Sequence, residues 1–222
     1  REPFQRLFNQ GLITTFAYKD DSGRLIPTDE IEERGDGFVV KATGNPATQI
    51  VAKMSKALKN VVNPDDVVKE YGADTLRLYE MFMGPLDSSK PWNPRDVPGV
   101  YRFLRDCWRL IILDDANRSD AGTLRPYLQT DGPRDEMLER ELHKTIKGVT
   151  QDLDRMAFNT AISKLMVYKN KALENGSKLH RSQAERFVLL LAPFAPHLAE
   201  ELWSKIGHTQ SLAYEKWPIF DE

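Results

Sequence analysis

Cysteine is almost absent: Cys107 stands alone among 222 residues, which excludes an internal disulfide and a cysteine-built zinc site and points to a reducing compartment. Its place in an apolar helical stripe makes it a packing residue. The four histidines, at 143, 180, 197 and 208, lack paired ligand spacing, so no structural metal is expected. Long apolar runs are missing too. The longest, Phe187 to Pro196, is broken by Pro193 and falls far short of the roughly 20 residues of a bilayer span, so no membrane segment is expected. There is no excess of one charge sign. A formal net charge of -2 neither announces nor excludes nucleic acid, which leaves local patterning as the informative signal. No glycine-rich phosphate loop occurs. The start, Arg1-Glu2-Pro3-Phe4-Gln5-Arg6, has neither an apolar signal core nor an initiating methionine, as expected of a piece of a longer cytoplasmic protein.

What is present suits a globular chain: 41% hydrophobic and 29% charged residues are enough for one large domain or two small ones. Residues 1–52 are turn-rich. Phe4 to Gln10 reads as a short helix, Leu12 to Tyr18 as a strand, Asp20-Asp21-Ser22-Gly23 as a turn, and Gly37 to Ala42 as a second strand ending before Pro46. Together they predict a small, partly exposed sheet. After Lys53 the pattern turns helical. Asn63-Pro64-Asp65-Asp66 supplies a cap, a proline at the first helical position and acids that suit the helix dipole. Gly72 ends that helix, and Ala73-Asp74-Thr75 begins another that stops at Gly84-Pro85.

Val97, Val100, Phe103, Leu104, Cys107, Trp108 and Ile111 recur at helical spacing, predicting a helix over 96–116 and then a loop over 117–132. Leu138, Leu142, Ile146, Val149, Leu153 and Met156 form a near-heptad stripe on a helix beginning near Pro133. Asn159 is read as the cap of a further helix to Glu174, with Asn175-Gly176 ending it. Ser182 starts a last pair, broken at Pro193 and restarted at Pro196. The fold class is therefore mainly α: an antiparallel helix bundle preceded by a small β-containing region.

Lys53-Met54-Ser55-Lys56, between the turn-rich region and the capped helix, is the segment with chemical content. Two lysines on one small loop form a cationic clamp that suits phosphoryl or nucleotidyl transfer, where charge builds on departing phosphate oxygens. The bland alternative is solvated surface charge. Context decides between them, because the segment resembles the KMSKS loop of class I aminoacyl-tRNA synthetases. The continuation from Leu58 to Asp65 is similar to the same family, as is Tyr71-Gly72-Ala73-Asp74-Thr75-Leu76-Arg77. Phe158-Asn159-Thr160-Ala161 and Ala195 to Trp203 look like the helical anticodon-binding domain of the Ile, Leu, Val and Met subgroup. The four matches run in order over residues 53–217. Pro3 to Gly11, Tyr79 to Pro85 and Lys90-Pro91-Trp92-Asn93 resemble the bacterial leucyl members.

The resemblance implies an enzyme that joins leucine to ATP as leucyl-adenylate, with Mg2+, and passes leucine to tRNA(Leu). Lys53 and Lys56 would be catalytic, steadying the pyrophosphate side, with Lys56 the stronger choice. Met54 would shape the loop or pack near adenine, and Ser55 would offer a hydrogen bond, so residues 53–56 together form the ATP-binding set. The family's last serine is Ala57 here, which implies an attenuated loop, and a loop that closes on ATP has to be mobile. Residues 1–52 would end the catalytic region with a leucine-specific insertion, 53–84 would carry the loop and its helices, and 85–222 would be the helical tRNA-binding domain. The HIGH-type signature, the editing domain and a small C-terminal domain are not found. The chain by itself is therefore not expected to form adenylate or to hold a tight cofactor, and ATP and leucine would be met through the missing catalytic half. A monomer is expected. The alternatives are an isoleucyl, valyl or methionyl relative, or a non-catalytic RNA-binding module.

Arg95, Arg102, Arg105 and Arg109 are candidates for tRNA phosphates, with solvated charge near acids such as Asp106 as the plain alternative. Lys144, Lys147, Lys164, Lys169 and Lys171 are weaker candidates of the same kind. Trp92, Trp108, Trp203 and Trp217 read as packing residues. His197 reads as a structural hydrogen-bonding group, and Glu200 and Glu201 as helix-start acids.

Overall fold

Strand β1 (Ile13–Lys19) buries Thr15 and Ala17 and leaves Thr14 and Phe16 partly open, the period-two alternation of a half-buried strand. In the computed structural model, residues 3, 4, 6–114, 119–129 and 132–221 are described. The Asp20 carboxylate turns the chain after β1 by accepting from the backbone N–H groups of Ser22 and Arg24, each at 3.0 Å, and β2 (Leu25–Ile26) returns against Tyr18 and Lys19. β3 (Ile31–Arg34) and β4 (Gly37–Val40) make a hairpin, with Arg34 opposite Gly37. β5 (Pro46–Ala52) lies between β4 and β1, with Lys19 opposite Thr48 and Thr15 opposite Ala52. All these pairings are antiparallel.

A sixth strand, β6 (Lys90–Pro91), reaches the start of β1 from far along the chain and runs parallel to it. Close approach makes glycine necessary at position 11, because a Cβ there would lie 2.2 Å from the backbone carbon of Ser88.

The described residues thus combine seven helices with a six-stranded sheet, so the fold is mixed. Its sheet is larger than the small one expected. Only β1 and β4 match expected strands; β2, β3, β5 and β6 were not expected. The longest of these, β5, is opened by Pro46; a proline fits the first position of a strand, although it donates nothing to the ladder. The short helix expected over Phe4 to Gln10 does not form at the described residues there, and Gln5 lies outside them. Phe4 and Leu7 are more than four-fifths exposed. Without an apolar face to bury, one or two turns of helix have no net stability in water.

Two compact units emerge, each discontinuous in sequence: residues 1–67 with 86–95, and residues 68–85 with 96–222. In the first, Ala17, Ile26, Val40, Trp92 and Tyr18 form a small core, with the Tyr18 and Phe38 rings 4.9 Å apart. Helix α1 (Pro64–Tyr71) joins the two units and begins as expected, with Asn63 Oδ1 accepting from Asp65 N–H at 3.2 Å.

The second unit is helical. α2 (Ala73–Phe82) and α3 (Val97–Ile111) come first, and α3 buries Val97, Val100, Phe103, Leu104, Cys107, Leu110 and Ile111 on one face. It ends before the expected 116, because Ile112 turns into an isolated bridge with Leu124; residues 115–118 lie outside those described. Burial disfavours the charged thiolate and pushes the Cys107 thiol pKa well up. α4 (Glu136–Asp154) is capped by Asp135, which accepts from Leu138 N–H at 2.8 Å, and it packs along α5 (Phe158–Glu174). Asn159 lies inside α5, whose cap position is Ala157; the cap expected at Asn159 is therefore two residues too late. α6 (Arg181–Leu191) has a capping box built from His180 and Gln183, not from Ser182, and α7 (Pro196–Ile206) starts on its proline.

Candidate functional site

The lysine loop leaves the sheet at Ala52, the last residue of β5, and its geometry is set by hydrogen bonds within the first unit. Leu58 N–H donates to the Ser55 carbonyl and Lys59 N–H to the Lys56 carbonyl, both at 3.2 Å. Residues 55–59 are therefore two overlapping turns, with Lys56 and Ala57 at the corner. Lys59 takes φ +48°, an unusual conformation for a side-chain-bearing residue. The Thr28 N–H donates to the Leu58 carbonyl at 2.9 Å, and Lys59 Nζ meets Asp29 Oδ2 at 2.5 Å. That ammonium holds the Asp29 carboxyl below its usual range, and Asp29 in turn raises the Lys59 pKa.

Lys53 and Lys56 are exposed and have no acidic partner among the described residues. The structure thus brings the two expected lysines together on one short segment, with both charges available. Met54 and Ser55 between them are half-buried. Ser55 engages through its backbone N–H, which donates to Asn60 Oδ1 at 2.8 Å. Sequence reading passed over Asn60, Asp29 and Lys59; their partners are distant in sequence, and no motif spacing announces them.

The arginine candidates do not form one group. Arg95 belongs to the first unit, where Nη2 pairs with Glu33 at 2.6 Å. Arg102, Arg105 and Arg109 share α3. Arg109 is bound to Asp114 at 2.9 Å, whereas Arg102 and Arg105 are exposed and have no ion pair among the described residues. Asp106, considered as their neighbour, is engaged by Lys169 at 3.0 Å. Tyr71, Tyr101, Arg105 and Trp108 line a shallow pocket of about 230 Å³ within the second unit.

Most of the weaker lysine candidates are held in ion pairs within the second unit. Lys164 binds the buried Asp152, Lys169 is itself buried, and Lys171 meets Glu141 at 2.6 Å. Burial pushes the Asp152 pKa up, but hydrogen bonds from Lys164, Thr160 and Arg155 outweigh it and hold the carboxyl below its usual range. Trp92 and Trp203 are buried, Trp108 is half-buried, and Trp217 donates to Thr150 Oγ1 at 2.8 Å. Glu200 accepts from Leu212 N–H at 3.3 Å and Glu201 pairs with Lys205.

Comparison with known proteins gives this arrangement its context. Residues 36–89, which include the lysine loop, match the family described as tRNA synthetases class I (I, L, M and V). Residues 135–222 match the anticodon-binding domain of tRNA ligase. Both descriptions are of tRNA ligases, and the two matches fall on separate segments of the chain. Within that group its relatives are leucine–tRNA ligases: it is 46% identical over its whole length to that of Borrelia garinii and 47% identical to those of Borreliella burgdorferi and Treponema pallidum. It spans about a quarter of the length of these curated relatives, 25% to 26%. Among solved structures it is similar to the LeuRS of a ternary complex with tRNA and LeuAMS from Agrobacterium radiobacter, with a TM-score of 0.67 and 31% identity, covering 99% of this chain and 24% of that one.

Proposed function

We propose that the chain is the part of a leucine–tRNA ligase that carries the ATP-side lysine loop and the tRNA-binding helices. The observation that carries this reading is the pair of unneutralised lysines, Lys53 and Lys56, on a hydrogen-bonded turn at the end of β5, inside a segment matching the class I synthetases. In the whole enzyme the leucine carboxylate attacks the α-phosphorus of ATP and the bond to the β-phosphate oxygen breaks, releasing pyrophosphate with its Mg2+. Negative charge grows on the departing oxygens, and a cation fixed beside them stabilises that state more than the ground state. Lys56, at the corner of the turn, takes this role, and Lys53 supports it. Met54 and Ser55 complete the ATP-side segment.

Residues 1–52 close the catalytic region with a leucine-specific insertion and 53–84 hold the loop; within 85–222, residues 86–95 return to the sheet, and the helices from 96 onward, with α2, form the bundle that meets tRNA(Leu). Arg102 and Arg105 are the α3 arginines free to reach phosphates; such contacts position the RNA without reading its bases. The likeness to a LeuRS in complex with tRNA supports that partner.

The test is Lys56→Ala in the full-length enzyme, with adenylate formation followed by leucine-dependent pyrophosphate exchange. Removing one preorganised electrostatic group should slow the reaction on the order of 100- to 1000-fold, with folding intact. An unchanged exchange rate would overturn the catalytic reading of the loop. Salt-sensitive tRNA binding by the chain would then favour an RNA-binding module.

A further inference from the structure

Asn60 is 7% exposed and lies just past the lysine turn. Its side-chain oxygen accepts from Ser55 N–H at 2.8 Å, and its side-chain nitrogen donates to the Phe16 carbonyl of β1 at 3.2 Å. Phe16 is one ladder position from Thr15, the partner of Ala52 at the end of β5. Both ends of the segment from Ala52 to Asn60 are therefore tied to the same few residues of β1, one by strand pairing and the other by this carboxamide. A buried amide holding two backbone groups of different segments is costly to lose, because each group would be left without a partner. An apolar residue of equal size would fill the same space and hold neither.

We propose that Asn60 is the positioning residue of the lysine loop. It fixes the Ser55 backbone to β1, so that Lys56, the next residue, projects from a set point while its ammonium stays free. Asn60 itself touches no substrate. The outer tether, Lys59 with Asp29, is an exposed ion pair and adds little. This inference rests on the reading of Lys56 as an ATP-side group.

The experiment uses the full-length enzyme with Asn60→Ala, Asn60→Asp, Lys56→Ala and the double variant Asn60→Ala/Lys56→Ala. Pyrophosphate exchange, transfer of leucine from preformed leucyl-adenylate, leucine KM and thermal midpoint are measured for each. Asn60→Asp keeps the volume and the acceptor for Ser55, but replaces the donation to Phe16 with an acceptor oxygen that faces the Phe16 carbonyl. Both single Asn60 variants should slow exchange on the order of 10- to 100-fold, the loss associated with an ångström-scale misplacement. Leucine KM and the transfer step should stay as in wild type. The double variant should be no slower than Lys56→Ala by more than about twofold, because two residues acting through one contact are non-additive.

Exchange at the wild-type rate in both Asn60 variants, with Lys56→Ala impaired, overturns the proposal alone. Losses that multiply in the double variant, or that strike both steps equally along with the thermal midpoint, also overturn it. So does failure of both Asn60 variants to fold, which makes the requirement one of folding. Full activity of Lys56→Ala removes the catalytic reading of the loop and this proposal with it, and that result is recognisable because it does not depend on Asn60.

Discussion

The Asp74 carboxylate accepts from the backbone N–H of Leu198 at 2.7 Å and of His197 at 3.3 Å, and it meets His197 Nδ1 at 2.8 Å. Helix α7 has no side-chain cap of its own at Ala195, so its first N–H groups are served from α2 instead. Free helix N–H groups left without partners are unfavourable. Asp74→Ala should therefore cost about 1–2 kcal/mol of stability in denaturant titration, as for loss of an N-terminal cap, and Asp74→Asn less. An unchanged midpoint for Asp74→Ala would show that solvent serves these groups equally well. Such residues also mark where sequence reading stopped. Lys53 and Lys56 stood out because a short local segment can carry a resemblance to a known loop. Asn60 and Asp74 act on partners 44 and 124 positions away, and nothing local distinguishes them from ordinary turn and helix-start residues.

Among the helices, the α4 and α5 pair shows how one small residue can serve an ion pair. A Cβ at Gly148, inside α4, would lie 2.5 Å from Cδ and 2.7 Å from Cε of Lys164. The lysine stem thus crosses α4 over this glycine on its way to Asp152. Glycine within a helix is worth about 0.5–1 kcal/mol less than alanine, so clearance for Lys164 accounts for its presence. In a Lys164→Ala background, Gly148→Ala should recover that stabilisation; in the wild-type background the gain should be smaller or reversed. Equal gains in both backgrounds, measured by thermal or urea unfolding, would dissociate the glycine from the lysine.

Helix periodicity was readable throughout this region because each apolar face is continuous. Cap positions were readable only in part: the stop at Asn175 and the start at Pro196 stand where expected, but His180 takes the place expected of Ser182 and Asn159 sits within its helix, since a side-chain cap depends on which group points at the helix end. β5 was missed for a related reason. Pro-Ala-Thr-Gln-Ile-Val-Ala has weak strand character alone and is made a strand by neighbours on both sides.

In the molecule as a whole, α2 belongs with helices that follow it only after the intervening residues 86–95 have returned to the sheet. Besides the Asp74 cap, Arg77 Nη2 donates to the Pro193 carbonyl at 2.8 Å. A fragment of residues 96–222 would cover the whole anticodon-binding match and still lack both interactions. Its thermal midpoint should fall below that of a 68–222 fragment on the order of 5–10 °C, as followed by circular dichroism; equal midpoints would make α2 dispensable to the helical unit.

β6 carries a consequence of another kind. Because this two-residue strand returns to β1 after α2 has been made, the chain passes between the units three times, near residues 67, 85 and 95. A single recombination crossover therefore cannot exchange one unit between two relatives without importing a foreign edge to the sheet or a foreign α2 to the helices. Gly11, with no room for a Cβ against the backbone of Ser88 and Ser89, has to be kept glycine by a segment encoded far from it.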